Sequence, residues 1–388
     1  MIIVMNNIYI TTAHTGYNYG TYLQAYAMKK FMGQFADNAE IVWEKSFGPK
    51  GRDFRIKKVF SLGIRSVLHH KQFSSIKQGY AKNFAAEPSD RTKQLFDRFS
   101  EECLDIKEYS YRELIKLAAN CQTKVVVCGS DQIWNASSMY PDPLYYLQFA
   151  PKKKRIAYAP SFGRSEVPDY NKKRIERYLR DIPAISVRED AGAEIVMQLT
   201  GRKVPVVPDP TLIVDWDDWM TENNEEFLLL YFLDQPTDNT IRDISNIQKL
   251  TGLKVKVLLH DFDAYTIFEN RQLVDAGPKE FVEIISSAKF VCTDSFHASI
   301  FSMLAYTPFY TYKRNYGMVD TQESRLDTLF RHYRLEERYR KNPGDSQSLV
   351  VDYNMEHVKE IRNNDITHAR RYMAWALENS CCTGRKNR

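Results

Sequence analysis

The stretch "AKFVCTDSFHASIFSML" (residues 288–304) changes character in its middle. Phe290, Val291 and Cys292 suit a short buried strand, whereas Phe296, Ile300, Phe301 and Leu304 recur at helical spacing. Asp294 and Ser295 sit between them and are side chains that cap helices. A strand that runs directly into a helix is half of a βαβ unit, and repeated units of this kind build a parallel sheet.

The same junction recurs along the chain. Strands are expected near 2–11, 40–44, 124–128, 155–159 and 184–187, with helices near 19–33, 91–104, 110–120, 171–180 and 189–199. In the second half, "EFLLLYFL" (226–233), "LKVKVLLH" (253–260), "AKFVC" (288–292) and "PFYTY" (308–312) read as strands. Helices near 238–250, 279–287, 296–306 and 323–333 alternate with them. The chain has 388 residues, too many for one ordinary core. "GRKVPVVPDPTLIVDWDDW" (201–219) carries prolines on both sides of Asp209; it resists helix and reads as a domain crossing. The expected architecture is therefore α/β, with two Rossmann-like doubly wound domains facing a cleft: residues 1–203, on the acceptor side, and residues 204–350. Residues 351–388 are expected to add a helix, near 355–379, that packs back on the first domain, followed by a frayed tail.

Composition excludes several classes. With 43% hydrophobic and 27% charged residues the chain is globular in character, and a net charge of +5 does not call for nucleic acid. The six cysteines form no CxxC or zinc spacing, so no metal site is expected, and reduced thiols point to the cytoplasm. "MIIVMNNIYI" lacks the basic start and cleavage site of a signal peptide and reads as a first strand. No apolar run approaches the ~18 residues of a membrane span. Residues 50–93 are basic, with Phe54, Val59, Phe60, Leu62 and Ile64 interleaved. One reading is peripheral contact with an anionic membrane at its inner face; the other is a solvated helical insertion on the first domain.

Four junctions concentrate polar chemistry. In "TGYNYGTYLQAYAMKKF" (15–31) Asn18 can cap a helix, Gly16 and Gly20 allow close approach, and Tyr19, Tyr22 and Tyr26 follow helical spacing. "VVVCGSDQIWN" (125–135) runs a buried strand into Ser130 and Asp131, a helix cap or a hydroxyl acceptor. "ISVRED" (185–190) ends a short strand on Arg188, whose guanidinium suits phosphate or carboxylate unless it pairs with Glu189 or Asp190. The fourth is the opening stretch, where His297 falls in the first helical turn. A lone histidine is more often a core residue, but one at a strand's carboxyl end can act as a general acid.

Taken in order, "NYGTYLQAYAM" (18–28), "GSDQIWN" (129–135), "AYAPSFG" (157–163), "SVRED" (186–190), "PDPTLIVDWDDW" (208–219) and "TDSFHASIFSMLAYTPF" (293–309) resemble the polysaccharide pyruvyl transferase family. The resemblance spans about three quarters of the chain and implies a fold like that of GT-B glycosyltransferases. It also implies transfer of a pyruvyl group from phosphoenolpyruvate, a donor substrate and not a resident cofactor, to two sugar hydroxyls. The product would be a cyclic ketal in capsule, exopolysaccharide or cell-wall polymers. The acceptor it suggests is a galactose-type sugar, free or lipid-linked. His297 would protonate the enol carbon, with Asp294 orienting it. Asp131 would orient or deprotonate an acceptor hydroxyl, while Arg188, Ser295, Ser130, Asn18 and Tyr19 bind substrate. In some branches Arg-Leu precedes this histidine; here Ser295-Phe296 stands there, so Lys313, Arg314 or Arg325 would supply the missing charge. Two other readings remain on this architecture: a sugar-nucleotide glycosyltransferase, and a non-catalytic glycan-binding protein.

Overall fold

The computed structural model describes residues 6–45, 87–135, 141–221, 225–314, 324–344 and 353–381. Most of the basic stretch 50–93 lies outside the described residues; only its end, from Glu87, falls within them. The chain forms two six-stranded parallel sheets. The first contains β1 (Asn7–Thr11), β2 (Asn38–Glu44), β3 (Lys107–Tyr109), β4 (Thr123–Cys128), β5 (Arg155–Ala157) and β6 (Ala184–Ile185). The second contains β7 (Phe227–Tyr231), β8 (Lys254–Leu258), β9 (Gln272–Val274), β10 (Phe290–Thr293), β11 (Phe309–Tyr312) and β12 (Tyr339–Arg340). The orders are β3-β2-β1-β4-β5-β6 and β12-β11-β10-β7-β8-β9. Both are the doubly wound Rossmann order, so each sheet reverses direction of winding between its first and fourth strands.

Local sequence explains the alternation. β4 (TKVVVC) and β7 (FLLLY) are nearly continuous apolar runs because helices cover both faces of a parallel sheet. Ser295 caps the Phe296–Leu304 helix, accepting the Ala298 N–H. Ser110 and Glu113 form a reciprocal capping box at the Tyr111–Ala119 helix. Helices Asp190–Thr200 and Asp238–Thr251 end on Gly201 and Gly252 at φ 74 and 68, left-handed positions that favour glycine.

Three expectations change. The 91–104 helix splits into an α-helix (Asp90–Phe99) and a π-helical turn (Ser100–Leu104) closed by Asp105 at φ 48. The expected strand 184–187 shortens to Ala184–Ile185, and Val187 instead bridges to Val206. The Val206 segment is thereby drawn alongside the first sheet. "PDPTLI" is also partly helical, over Pro210–Ile213, because Pro210 occupies the first helical position, where a missing N–H is harmless.

The Tyr19–Met32 helix ties the two sheets together. Tyr19 stacks on Phe96 and Phe281 at 5.0 and 4.4 Å, and its hydroxyl donates to the Ala276 carbonyl in the second half. Tyr26 packs against Trp216 and Trp219. One apolar cluster thus runs from Ile8 and Val127 of the first sheet to Leu229 and Val291 of the second. The Met355–Cys381 helix lies on the first sheet, where the Tyr372 hydroxyl donates to the Ala157 carbonyl.

Candidate active site

The strand order fixes where a site can form. The carboxyl ends of β1, β4, β7 and β10 meet at the two switch points, and their loops border one cavity of about 450 Å³. Asn18, Thr21, Asp131, Trp134, Asp142 and Tyr145 line it from the first domain. Leu233, Ser295, Phe296, His297, Arg314 and Arg325 line it from the second.

His297 is buried in the first turn of the Phe296–Leu304 helix. Its Nδ1 edge lies so close to the Tyr19–Met32 helix that a Cβ on Gly20 would stand 2.0 Å from Nδ1. Its Nε2 lies 3.7 Å from Oδ2 of Asp209 and has no hydrogen-bond partner among the described residues. Asp209 is itself buried and accepts from Arg188 Nη1 at 2.6 Å, from Ser130 Oγ at 3.1 Å, and from the Thr211 N–H and hydroxyl at 3.0 and 2.7 Å. Burial alone would push this carboxyl up. The facing His297 ring and the Arg188 guanidinium outweigh burial and hold it well below the usual carboxylate range. Arg188 is likewise buried; burial works against its charge, but Asp209, Asp131 and Glu189 overcome that and strengthen it. The result is a chain Asp131–Arg188–Asp209–His297, with Arg188 Nη2 3.8 Å from Asp131 Oδ1.

A family model described as "Polysaccharide pyruvyl transferase" matches residues 18–316, which include every link of that chain. The protein belongs to the polysaccharide pyruvyl transferase family. No curated protein matches it. Its fold is similar to that of solved structures at low identity. A UDP-N-acetylglucosamine 2-epimerase from Rickettsia bellii is 8% identical, with 96% of this chain and 97% of that one covered and a TM-score of 0.47. The UDP-GlcNAc 2-epimerase from Neisseria meningitidis is 9% identical over 97% and 94%, with a TM-score of 0.45. An E. coli heptosyltransferase is 10% identical over 93% and 100%, with a TM-score of 0.39.

In this pyruvyl transferase family member the expected site residues sort into two groups. His297, Asp131, Ser295, Asn18, Arg314 and Arg325 line the cavity. Asn18 and Ser295 cap the two helices that enter it. Asp131 follows no helix cap geometry; its backbone sits at φ 62 and its Oδ2 accepts from the Thr21 hydroxyl at 2.9 Å.

The others lie behind or beside it. Tyr19 does not bind substrate from the cavity wall: it is fully buried between aromatic rings, because its hydroxyl joins the domains. Ser130 is also fully buried and donates to Ala159 and Asp209, so it holds the carboxylate in place. Asp294 does not orient His297. Its oxygens take the N–H groups of Leu233 and Asp234 at 2.8 and 3.0 Å, and Arg314 Nε lies 3.2 Å away. Lys313 is exposed and does not line the cavity, whereas its neighbour Arg314 does. Arg188 pairs with neither Glu189 nor Asp190. Glu189 accepts from Ser161 and Phe162, and Asp190 pairs with Arg331.

Sequence reasoning missed Asp209. Its two flanking prolines made it look like linker punctuation. The signal was the sequence "PDPT", in which an aspartate precedes a proline at a helix start. Phe296 also gained a role: the Arg188 and Arg325 guanidinium groups lie 4.6 and 5.5 Å from its ring centroid. It lines both the first cavity and a second, of about 500 Å³, walled by Arg188, Asp209, Arg331, His332 and Asp365. Among the described residues, no group of three or more His, Cys, Asp and Glu side chains is gathered for a metal ion, and no helix is long and apolar enough to cross a membrane.

Proposed function

We propose that this family member transfers the pyruvyl group of phosphoenolpyruvate to two hydroxyls of a galactose-type sugar, forming a cyclic ketal in surface-polysaccharide biosynthesis. One observation carries the reading. A single cavity gathers a buried histidine, a carboxylate from the opposite domain, and two arginines. Phosphoenolpyruvate has two anionic groups and an enol carbon that must be protonated, so it needs cations and an acid in one place.

The residues then divide the work. Arg314, Arg325 and the amino end of the Phe296–Leu304 helix hold the phosphate and carboxylate. Asp209 faces Nε2 of His297, which leaves Nδ1 to deliver a proton to the methylene carbon. Gly20, having no Cβ, lets that edge of the ring pack against the Tyr19–Met32 helix. Asp131 receives the hydrogen of the first acceptor hydroxyl as its oxygen bonds to the central carbon. Phosphate leaves with cleavage of its carbon–oxygen bond, and the second hydroxyl closes the ring. Of the two hydroxyl protons, one offsets the proton given to the methyl group and the other leaves with phosphate, so the histidine is restored.

The deciding experiment is incubation of free and lipid-linked galactosides with phosphoenolpyruvate, followed by mass spectrometry and a phosphate assay. The expected result is phosphate release with a mass gain of one pyruvate ketal on the acceptor. Turnover of a sugar nucleotide instead would make the protein a glycosyltransferase.

A further inference from the structure

One carboxyl group in the cavity has no place in those steps. Asp142 lies on the first-domain wall, with His297, Arg314 and Arg325 on the second-domain wall. Its Oδ1 accepts the Leu144 N–H at 2.8 Å. Glu44, at the carboxyl end of β2, is the charge that acts on it most directly, and it is an anion. Tyr145 and Tyr146 follow in the same turn, both kept neutral chiefly by burial, and Tyr145 also feels Asp142 and then Asp131. Among the described residues no cation forms an ion pair with Asp142.

The neighbouring carboxylates are held differently. Asp209 has a guanidinium and three further donors, and Asp294 has two N–H groups and Arg314. Among the described residues Asp142 accepts a single N–H. Burial, with Glu44 adding to it, therefore wins over that one bond and pushes the carboxyl up to about 7.

We propose that Asp142, when protonated, donates a hydrogen bond to an oxygen of the acceptor sugar, opposite in sense to Asp131, which accepts one. The proposal rests on the acceptor reading given above. A sugar hydroxyl both donates and accepts, so one carboxyl group of each kind suits a pair of hydroxyls.

The protonation state is tested without any substrate. A folded-state value above the unfolded value means that ionisation costs the folded protein as pH rises. Asp142→Asn removes that cost, so its gain in thermal midpoint over wild type should grow between about pH 5 and about pH 8.5. A gain that stays constant overturns the neutral acid. The donor role is tested by titrating methyl β-galactoside while following tryptophan fluorescence, since Trp134 lines the same cavity. The wild-type dissociation constant should rise about tenfold from about pH 6 to about pH 8.5, as the donor ionises. In Asp142→Asn, whose amide donates throughout, that ratio should fall toward one. A flat wild-type profile, or an Asn variant with the full wild-type ratio, overturns the donor role. Absence of saturable galactoside binding by wild type at either pH overturns the galactoside reading and the donor role together, while the stability comparison still decides the protonation.

Discussion

His297 stands between a glycine and a carboxylate, and both neighbours give testable consequences. His297→Ala should lower turnover by ~10²–10⁴ in a phosphate-release assay, the usual worth of a positioned acid. Near wild-type turnover would remove the histidine from the chemistry. Asp209→Ala strands the Arg188 charge in a buried site, which typically costs about 3–5 kcal/mol. Urea unfolding should show that loss, and the surviving folded enzyme should turn over slowly. Gly20→Ala is informative because alanine normally favours a helix interior by ~1 kcal/mol. Here the new Cβ would meet Nδ1, so the expected outcome is reduced turnover with no gain in unfolding midpoint. His297 was legible in the sequence because an isolated titratable ring at a strand–helix junction is conspicuous. Asp209 was not, because its partners Arg188 and His297 lie 21 and 88 positions away, in a loop and a helix of different domains.

The elements that were read well are those with a long apolar period. β4, β7 and β10 and their following helices are internal to the sheets, and burial on both faces writes itself as an apolar run. β3 (KEY), β9 (QLV) and β12 (YR) escaped notice because they are two- or three-residue edge strands, partly exposed and polar. How helices dock is also invisible to periodicity. The Ser324–Tyr333 helix meets the Met355–Cys381 helix through His332, whose Nε2 lies 2.8 Å from Asp365. That hydrogen bond, together with the Asp365 charge, raises the histidine against the opposing effect of burial. A raised folded value means the contribution is fully present below about pH 6.5 and is lost as pH climbs through the folded value. His332→Gln should therefore lower the thermal midpoint at about pH 5.5 and leave it close to wild type at about pH 9. An equal effect at both would show that the pair acts by packing alone.

At the scale of the whole molecule, the cleft is held open and in register by the apolar cluster that the Tyr19–Met32 helix shares between the sheets. Tyr19→Phe tests that assignment. It should cost about 1 kcal/mol, the worth of one buried hydrogen bond, in the unfolding of the intact protein. The Michaelis constants for both substrates should stay unchanged, since the ring is out of reach of the cavity; a raised constant would return Tyr19 to the substrate wall. The sequence by itself determined the α/β class, the two doubly wound domains, the helix cap at Asn18, a second cap at Asp294 or Ser295, and the family, because each depends on residues close together in the chain. Only the tertiary structure decided that Asp209 and not Asp294 faces His297, that Arg314 and Arg325 but not Lys313 reach the cavity, and that Tyr19 and Ser130 are supports. The reason is geometric. A strand end fixes where a residue stands, but which side chains meet there depends on how two sheets, joined through one helix, are set against each other.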